Sequence, residues 1–503
     1  MRHVGRHLGI VGALLAAVAA PGAAQLPRIG VPRGQLRVEI GSQFDAVNAE
    51  LAGGAHPLHD AWNGDFGPGL DGNLSASESL IQTITGDAGY RLSAGRSRVT
   101  AANTTGTAFV SAGLGLTDRL SLFGTLPFVR ARWQVSLHLD SASANVGFNP
   151  NDPVFGSGAG IGATSTFFTQ FQAALTTLQG KIANGDYDGS PATKTLAQQT
   201  LAAGNALAGE LGTLYGGPTA PFVPLAGSAE GVAIQGLVDS LQSTLSGSLS
   251  VPGFSADPVF ATARLTDDDL RNYLTNTTGP VQSLLRGDQY IQRQGDVELG
   301  ANYVVLERPG FRLAATGLVR LPTGLIDRSD NFFDLGTGDG QTDLEGRLAA
   351  DLTRGRFGAR LTGGYNRQLA RTLERRVGTS PVLWRFTAAN VSVDPGDVTT
   401  LGIEPFVRLA PGFALALGAF RVSRGADRWT FASSGAPAPG AASQVTTTAL
   451  QAGLTYSSFA GITGRGTPVE AQWAFREIVS ASGGRADRTR TLWMTLRVYY
   501  KLW

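Results

Sequence analysis

Hydrophobic and polar residues alternate strictly along much of the second half of the chain. Val297, Leu299, Ala301, Tyr303 and Val305 share one side of a stretch whose other side carries Glu298, Gly300 and Asn302. Phe311, Leu313, Ala315, Gly317, Val319 and Leu321 oppose Arg312, Thr316 and Arg320. Leu344, Gly346, Leu348, Ala350 and Leu352 oppose Asp343, Glu345, Arg347 and Asp351. Phe357, Ala359, Leu361, Gly363 and Tyr365 oppose Arg360, Thr362 and Asn366. The last stretch sets Leu492, Met494, Leu496, Val498, Tyr500 and Leu502 against Thr491, Thr495, Arg497 and Lys501. Successive side chains of a strand point to opposite faces, so a period of two predicts strands with one apolar and one polar face. Such strands are predicted at 36–44, 107–117, 119–133, 296–306, 311–321, 342–352, 357–366, 398–409, 413–422, 446–457, 467–477 and 489–502, about twelve in all.

A half-exposed soluble sheet also alternates, and two features separate the alternatives. Connections after alternate strands are very short, as at Thr117-Asp118, Pro309-Gly310, Arg354-Gly355 and Pro411-Gly412. The intervening ones, at 45–106, 134–295, 322–341, 367–397, 423–445 and 477–488, are longer. Short periplasmic turns against longer extracellular loops are the layout of an outer-membrane barrel. The 458–466 connection is long for a periplasmic turn. In addition, Phe311, Phe357 and Phe413 each follow a short turn on the apolar phase, where they would form an aromatic girdle at headgroup level. The expected fold is therefore all-β, a transmembrane antiparallel up-and-down barrel of about twelve strands. An α-helical insertion lies between strands 3 and 4.

That insertion, 134–295, breaks the alternation. Phe167, Phe171, Leu175, Leu178 and Ile182 recur at helical spacing, and Ser190-Pro191 supplies an N-cap and first-turn proline for a second helix. Ile234, Leu237, Val238, Leu241 and Leu245 mark a third helix, and 266–274 a short fourth. The insert could cap the mouth, plug the lumen or stand off as a surface domain. Residues 1–24 read as a signal peptide: Arg2 and Arg6, an apolar run from Leu8 to Ala20, and small residues before a cut near Ala24-Gln25. The mature chain then divides into 25–133 with the first strands and a long extracellular loop, the mostly helical 134–295, and the remaining strands in 296–503.

Composition adds exclusions. Without the signal the chain carries 39 basic and 39 acidic residues, which argues against a nucleic-acid partner. There is no Cys among 503 residues, so there is no disulfide, lipidated cysteine or thiolate site. No cofactor or metal is expected. His56 and His59 flank a Pro-Leu pair in a loop, and His138 has no G-x-S-x-G stretch to serve, so an enzyme is not expected.

The candidate lumen-lining residues are the polar members of the alternating strands. They comprise Arg312, Arg320, Arg347, Arg360, Arg408 and Arg497, with Glu298, Asp343, Glu345, Asp351, Glu404 and the neutral Asn302. Mixed charges there either set up a transverse field along a permeation path or satisfy one another across strands.

Two stretches, Leu116-Thr-Asp-Arg-Leu-Ser-Leu-Phe-Gly-Thr-Leu-Pro-Phe-Val129 and Arg320-Leu-Pro-Thr-Gly324 with Leu335-Gly-Thr-Gly-Asp-Gly-Gln-Thr-Asp343, resemble the phenol meta-pathway degradation-like outer-membrane transporter family. That family is itself similar to the FadL-like hydrophobic-compound channels. The helical insert and the register of the chain end, where Trp503 falls on the lumen phase, depart from it. The resemblance implies passive uptake of small hydrophobic or amphipathic solutes through the cell outer membrane. The alternative is a non-transporting barrel with an adhesive or structural role. Expected partners are outer-membrane lipid and lipopolysaccharide, the barrel-assembly machinery that reads an aromatic C-terminal strand, and a small-molecule solute.

Overall fold

The computed structural model describes residues 26–58, 63–72, 74–216, 220–275, 289–329, 334–377, 387–458 and 467–503. Residues 1–24 (expected to be a signal peptide), His59 and most of the 458–466 connection lie outside the described residues. Twelve long strands follow one another around a closed antiparallel barrel. They are β1 (Gln35–Leu51), β2 (Arg96–Gly115), β3 (Leu120–Asp140), β4 (Val297–Arg308), β5 (Phe311–Leu321), β6 (Asp343–Arg354), β7 (Phe357–Gln368), β8 (Val398–Ala410), β9 (Phe413–Arg424), β10 (Val445–Ser457), β11 (Val469–Ser482) and β12 (Ala486–Lys501). Closure comes from β12 pairing with β1, from Gln35 opposite Lys501 to Leu51 opposite Ala486. Every long strand thereby has two partners and the sheet has no free edge, as a structure crossing lipid requires.

The alternation resolves into outside and inside. Leu344, Leu348 and Leu352 of β6 and Leu401, Ile403 and Leu409 of β8 are exposed on the outer face, whereas Asp343 is 1% exposed on the inner one. Phe357 is exposed on the outer face beside a short turn, and the Phe413 ring packs at a tilt against Tyr456, with centroids 4.9 Å apart. Gly310 and Gly412 adopt φ of +75° and +79° in the Pro-Gly turns, a conformation glycine reaches without steric penalty.

The first strands are longer than their alternation indicates, because the pattern reverses partway along them. In β3, Leu122, Leu126 and Phe128 face outward, as their ladder to Leu114, Val110 and Ala108 of β2 shows. Beyond Val129 the outward phase becomes Arg130, Arg132 and Gln134, while Leu137 and Leu139 are buried on the inner phase. The same strand thus leaves lipid and turns its apolar side onto protein. This moves the boundary of the insert from 134 to beyond Asp140 and extends β2 back to Arg96. At the far end, Gln289–Gln294 is strand paired with β3.

The long loops build two assemblies. Five helices, α1 (Leu74–Thr85), α2 (Gly158–Ala183), α3 (Pro191–Tyr215), α4 (Ala229–Ser243) and α5 (Asp267–Thr275), form one apolar core with the upper ends of β1–β3. α1 comes from the β1–β2 loop and had no counterpart among the expected helices. Ser157, Ser190 and Ser228 cap α2, α3 and α4 through their hydroxyls, and Pro191 opens α3. Phe171 stacks on Phe254 at 4.7 Å, and Gly204 lets α3 approach Leu175 of α2, where a Cβ would lie 2.5 Å from a methyl. Val47, Val99, Ala101, Leu137 and Leu139 join this core from the inner phase of their strands, so the assembly is a cap leaning over the mouth. The second assembly is a small sheet of Arg371–Val377, Thr387–Asp394 and Arg428–Phe431, whose core is Leu373, Val377, Val391, Val393 and Ala438.

Candidate functional site

The inner end of the lumen is crossed by the segment that precedes β1. Residues 26–34 have no regular period and form no strand. They run from the opening of β1 across to β8 and β9, where Leu26 is buried against Phe406, Ala414 and Ala416. The entry is fixed by Gly34, at φ +69°, whose N–H donates to the Gly115 carbonyl at 2.9 Å and whose carbonyl accepts from Leu502 at 2.8 Å. A Cβ on Gly115 would lie 1.9 Å from the Pro32 carbonyl oxygen, so the strap needs glycine beneath it.

Wall side chains hold the strap by its backbone. Arg360 donates to the Pro27 carbonyl at 3.0 Å, Arg312 to Ile29 at 2.9 Å and Arg497 to Arg28 at 3.4 Å. The Arg28 N–H donates to Glu470 at 3.0 Å, and the Val31 N–H to the Ser121 hydroxyl at 3.1 Å. These partners come from β3, β5, β7, β11 and β12. The arginines are themselves placed by carboxylates, Arg360 by Asp351 at 2.6 Å and Arg497 by Glu39 at 2.9 Å, while Glu470 also accepts from Tyr499 at 2.7 Å.

A second charged group lies on the inner phase of β4–β7, nearer the long-loop ends of those strands. Arg320 meets Glu298 and Asp343, each at 2.7 Å, and Glu345 at 3.9 Å. Arg347 bonds Glu345, and Asn366 donates to Asp343 at 3.2 Å. In the adjoining loop, burial lifts the Asp339 carboxyl above its ordinary value, with Asp343 and Asp296 adding to the effect. Asn302 accepts from Thr316 at 2.8 Å, and Arg408 donates to the Gly355 carbonyl at 3.1 Å beside a short turn. Of the twelve residues singled out from sequence, three arginines thus grip the strap and five others make one ion-paired network.

A third group was recognised from sequence only through Glu404. Arg476 of β11 lies between the rings of Phe420 and Trp493, and it bonds Gln451, which donates to Glu404 at 2.8 Å. The signal for it was present: Trp473 and Phe475 on the apolar phase leave Arg476 on the other. The strap offered no comparable signal.

His138, outward on β3, contacts Asp267 at the start of α5 at 3.0 Å, and the Leu139 N–H donates to the same carboxylate at 2.6 Å. These bonds hold the Asp267 carboxyl below its ordinary value and tie the cap to the barrel wall. Among the described residues no three His, Asp or Glu side chains are placed to hold a metal ion.

No family model matches the chain. No curated protein matches it either. Among solved structures it is similar to an outer membrane channel from Pseudomonas putida F1, at TM-score 0.41 and 11% identity over 94% of this chain and 97% of that one. It is also similar to a FadL homologue from Pseudomonas aeruginosa, at TM-score 0.28 and 8% identity over 93% and 91% of the two chains. The Pseudomonas putida toluene transporter TodX aligns at TM-score 0.26 and 11% identity, over 94% and 90%.

Proposed function

We propose that the chain is an outer-membrane barrel that passively passes small hydrophobic or amphipathic molecules into the periplasm, with the strap closing the inner end of the path. The observation that carries this reading is the strap itself. A barrel of about eight strands is filled by its own side chains, and one of about sixteen leaves an aqueous channel. Twelve strands here enclose a bore that accepts a length of polypeptide, and a bore of that width accepts a small solute once the polypeptide moves aside. The strap is held by hydrogen bonds and one small apolar pocket, without a covalent link, so its displacement is reversible.

The lipid-facing surface fits the same setting. Exposed Arg130, Arg132 and Arg421 stand on the outward phase at the extracellular ends of β3 and β9, with Arg130 5.2 Å from the Tyr290 ring. Directly beyond an apolar band, these cations match the phosphates of lipopolysaccharide. Biogenesis through the signal peptide and the barrel-assembly machinery belongs to the same reading. Liposomes carrying the purified protein are expected to exchange benzyl alcohol and phenol faster than empty ones while retaining a large sugar polymer. Equal exchange with and without protein would reject transport in favour of an adhesive or structural barrel.

A further inference from the structure

The inner wall formed by β8–β12 carries a cation that forms no ion pair with any carboxylate among the described residues. Arg320, Arg347, Arg360 and Arg497 each meet a carboxylate within ion-pair distance. Arg312 is engaged by the strap. Arg476 differs from all of these. Its guanidinium lies 4.1 Å from the Phe420 ring centroid and 4.8 Å from that of Trp493, an arrangement in which two ring quadrupoles attract one cation.

Its Nε and Nη2 both donate to the Gln451 side-chain oxygen, at 3.1 and 2.7 Å. The Gln451 amide nitrogen then donates to Glu404 at 2.8 Å. A neutral amide therefore stands between the two charges and positions the arginine, so Glu404 acts on it only through space and Arg476 forms no ion pair among the described residues. Nη1 donates to none of the described residues, and Arg476 is only half-buried, so that edge is open to the lumen. The group sits immediately beyond the pocket that holds Leu26. Glu404 is the next inward residue after Phe406 on β8, and Phe420 lies further along β9 than Ala416.

We infer that Arg476 is a binding station for the carboxylate of a small aromatic acid, whose ring lies along Phe420 and Trp493. A charged donor bonds an anion more strongly than a neutral one does, and the surrounding rings keep the local dielectric low. A neutral aromatic of the same size gains only the ring contact. The station selects anionic over neutral solutes just outside the strap. Gln451 is the positioning residue: a carboxylate in its place would pair with Arg476 and abolish the selection without removing any side chain.

The inference rests on the transport reading only in requiring that solutes reach the lumen. Binding of 4-fluorobenzoate and 4-fluorobenzyl alcohol to the detergent-solubilised full chain, followed by fluorine NMR and corrected against empty micelles, tests it. Benzoate is expected to bind at least tenfold tighter than the alcohol. Arg476→Gln and Gln451→Glu are each expected to weaken benzoate about tenfold and leave the alcohol unchanged, both variants retaining the heat-modifiable migration of a folded barrel. Equal affinity for acid and alcohol, or benzoate binding that survives both substitutions, would overturn the station. Liposome exchange is scored separately: benzoate binding without exchange rejects transport alone, and exchange without acid preference rejects the station alone.

Discussion

Replacing Arg312 with methionine is expected to loosen the strap without disturbing the barrel. Arg312 is suited to this because its hydrogen bond goes to the Ile29 carbonyl, at 2.9 Å, and it forms no ion pair that its loss would break among the described residues. A hydrogen bond from a charged donor contributes about 1.5–3 kcal/mol. The lower figure applies here, because the Arg312 Nε is buried without a partner and methionine removes that cost. The freed Ile29 carbonyl can also rehydrate from the short-turn end of the barrel. About 1.4 kcal/mol corresponds to a tenfold change in an equilibrium, so the undocked population rises about tenfold. The chain contains no Cys, so Leu26→Cys introduces a unique thiol inside the pocket of Phe406, Ala414 and Ala416. Where docking is fast relative to chemistry, its rate of maleimide labelling follows the undocked fraction. The rate is expected to rise about tenfold when Arg312→Met is added. An unchanged rate would refute the assignment of Arg312 as a clamp on the strap.

Arg320→Gln leaves Glu298, Asp343 and Glu345 without their shared cation. With Asp343 1% exposed, the barrel is expected to lose about 3 kcal/mol in urea unfolding, most of it regained by adding Asp343→Asn. Leu348→Arg places a charge near the middle of the outer face of β6 and is expected to cost about 2–4 kcal/mol in lipid bilayers. Insertion and stability equal to the parent would show that this face does not meet lipid. The Asp267 carboxyl is held below the ordinary aspartate value of 3.8, so its contribution to docking of α5 is complete above that pH. The contribution is lost as the pH falls through the lower folded value. Amide exchange in α5 is therefore expected to accelerate below pH 3.8 and to lose that dependence in Asp267→Asn.

The alternation was legible where a strand meets lipid on one side along its whole length. β6 is the clearest case, since Leu344, Leu348 and Leu352 reach the outside and Asp343, Glu345 and Asp351 the inside in one unbroken phase. It was incompletely legible in β2 and β3, because the apolar side must face outward in the membrane and inward beneath the cap. Val99 and Ala101 therefore fell within the 45–106 loop, and Leu137 and Leu139 within the 134–295 insert, when they continue the strands. Helices α2 and α3 were legible from their stripes and from Ser190-Pro191, whereas α1 fell inside what looked like an open loop. The lumen charges could be found by phase. Their roles could not, since Arg312, Arg360 and Arg497 act on carbonyls hundreds of residues earlier in the chain. No local pattern in residues 26–34 records those contacts.

Single-channel conductance of the mature chain and of a version starting at Gln35, measured in the same planar bilayer, tests the central claim most directly. The account predicts a small or intermittent conductance for the full chain and a larger, steady one without the strap. Indistinguishable conductances would contradict it, because the strap would then not be what closes the lumen.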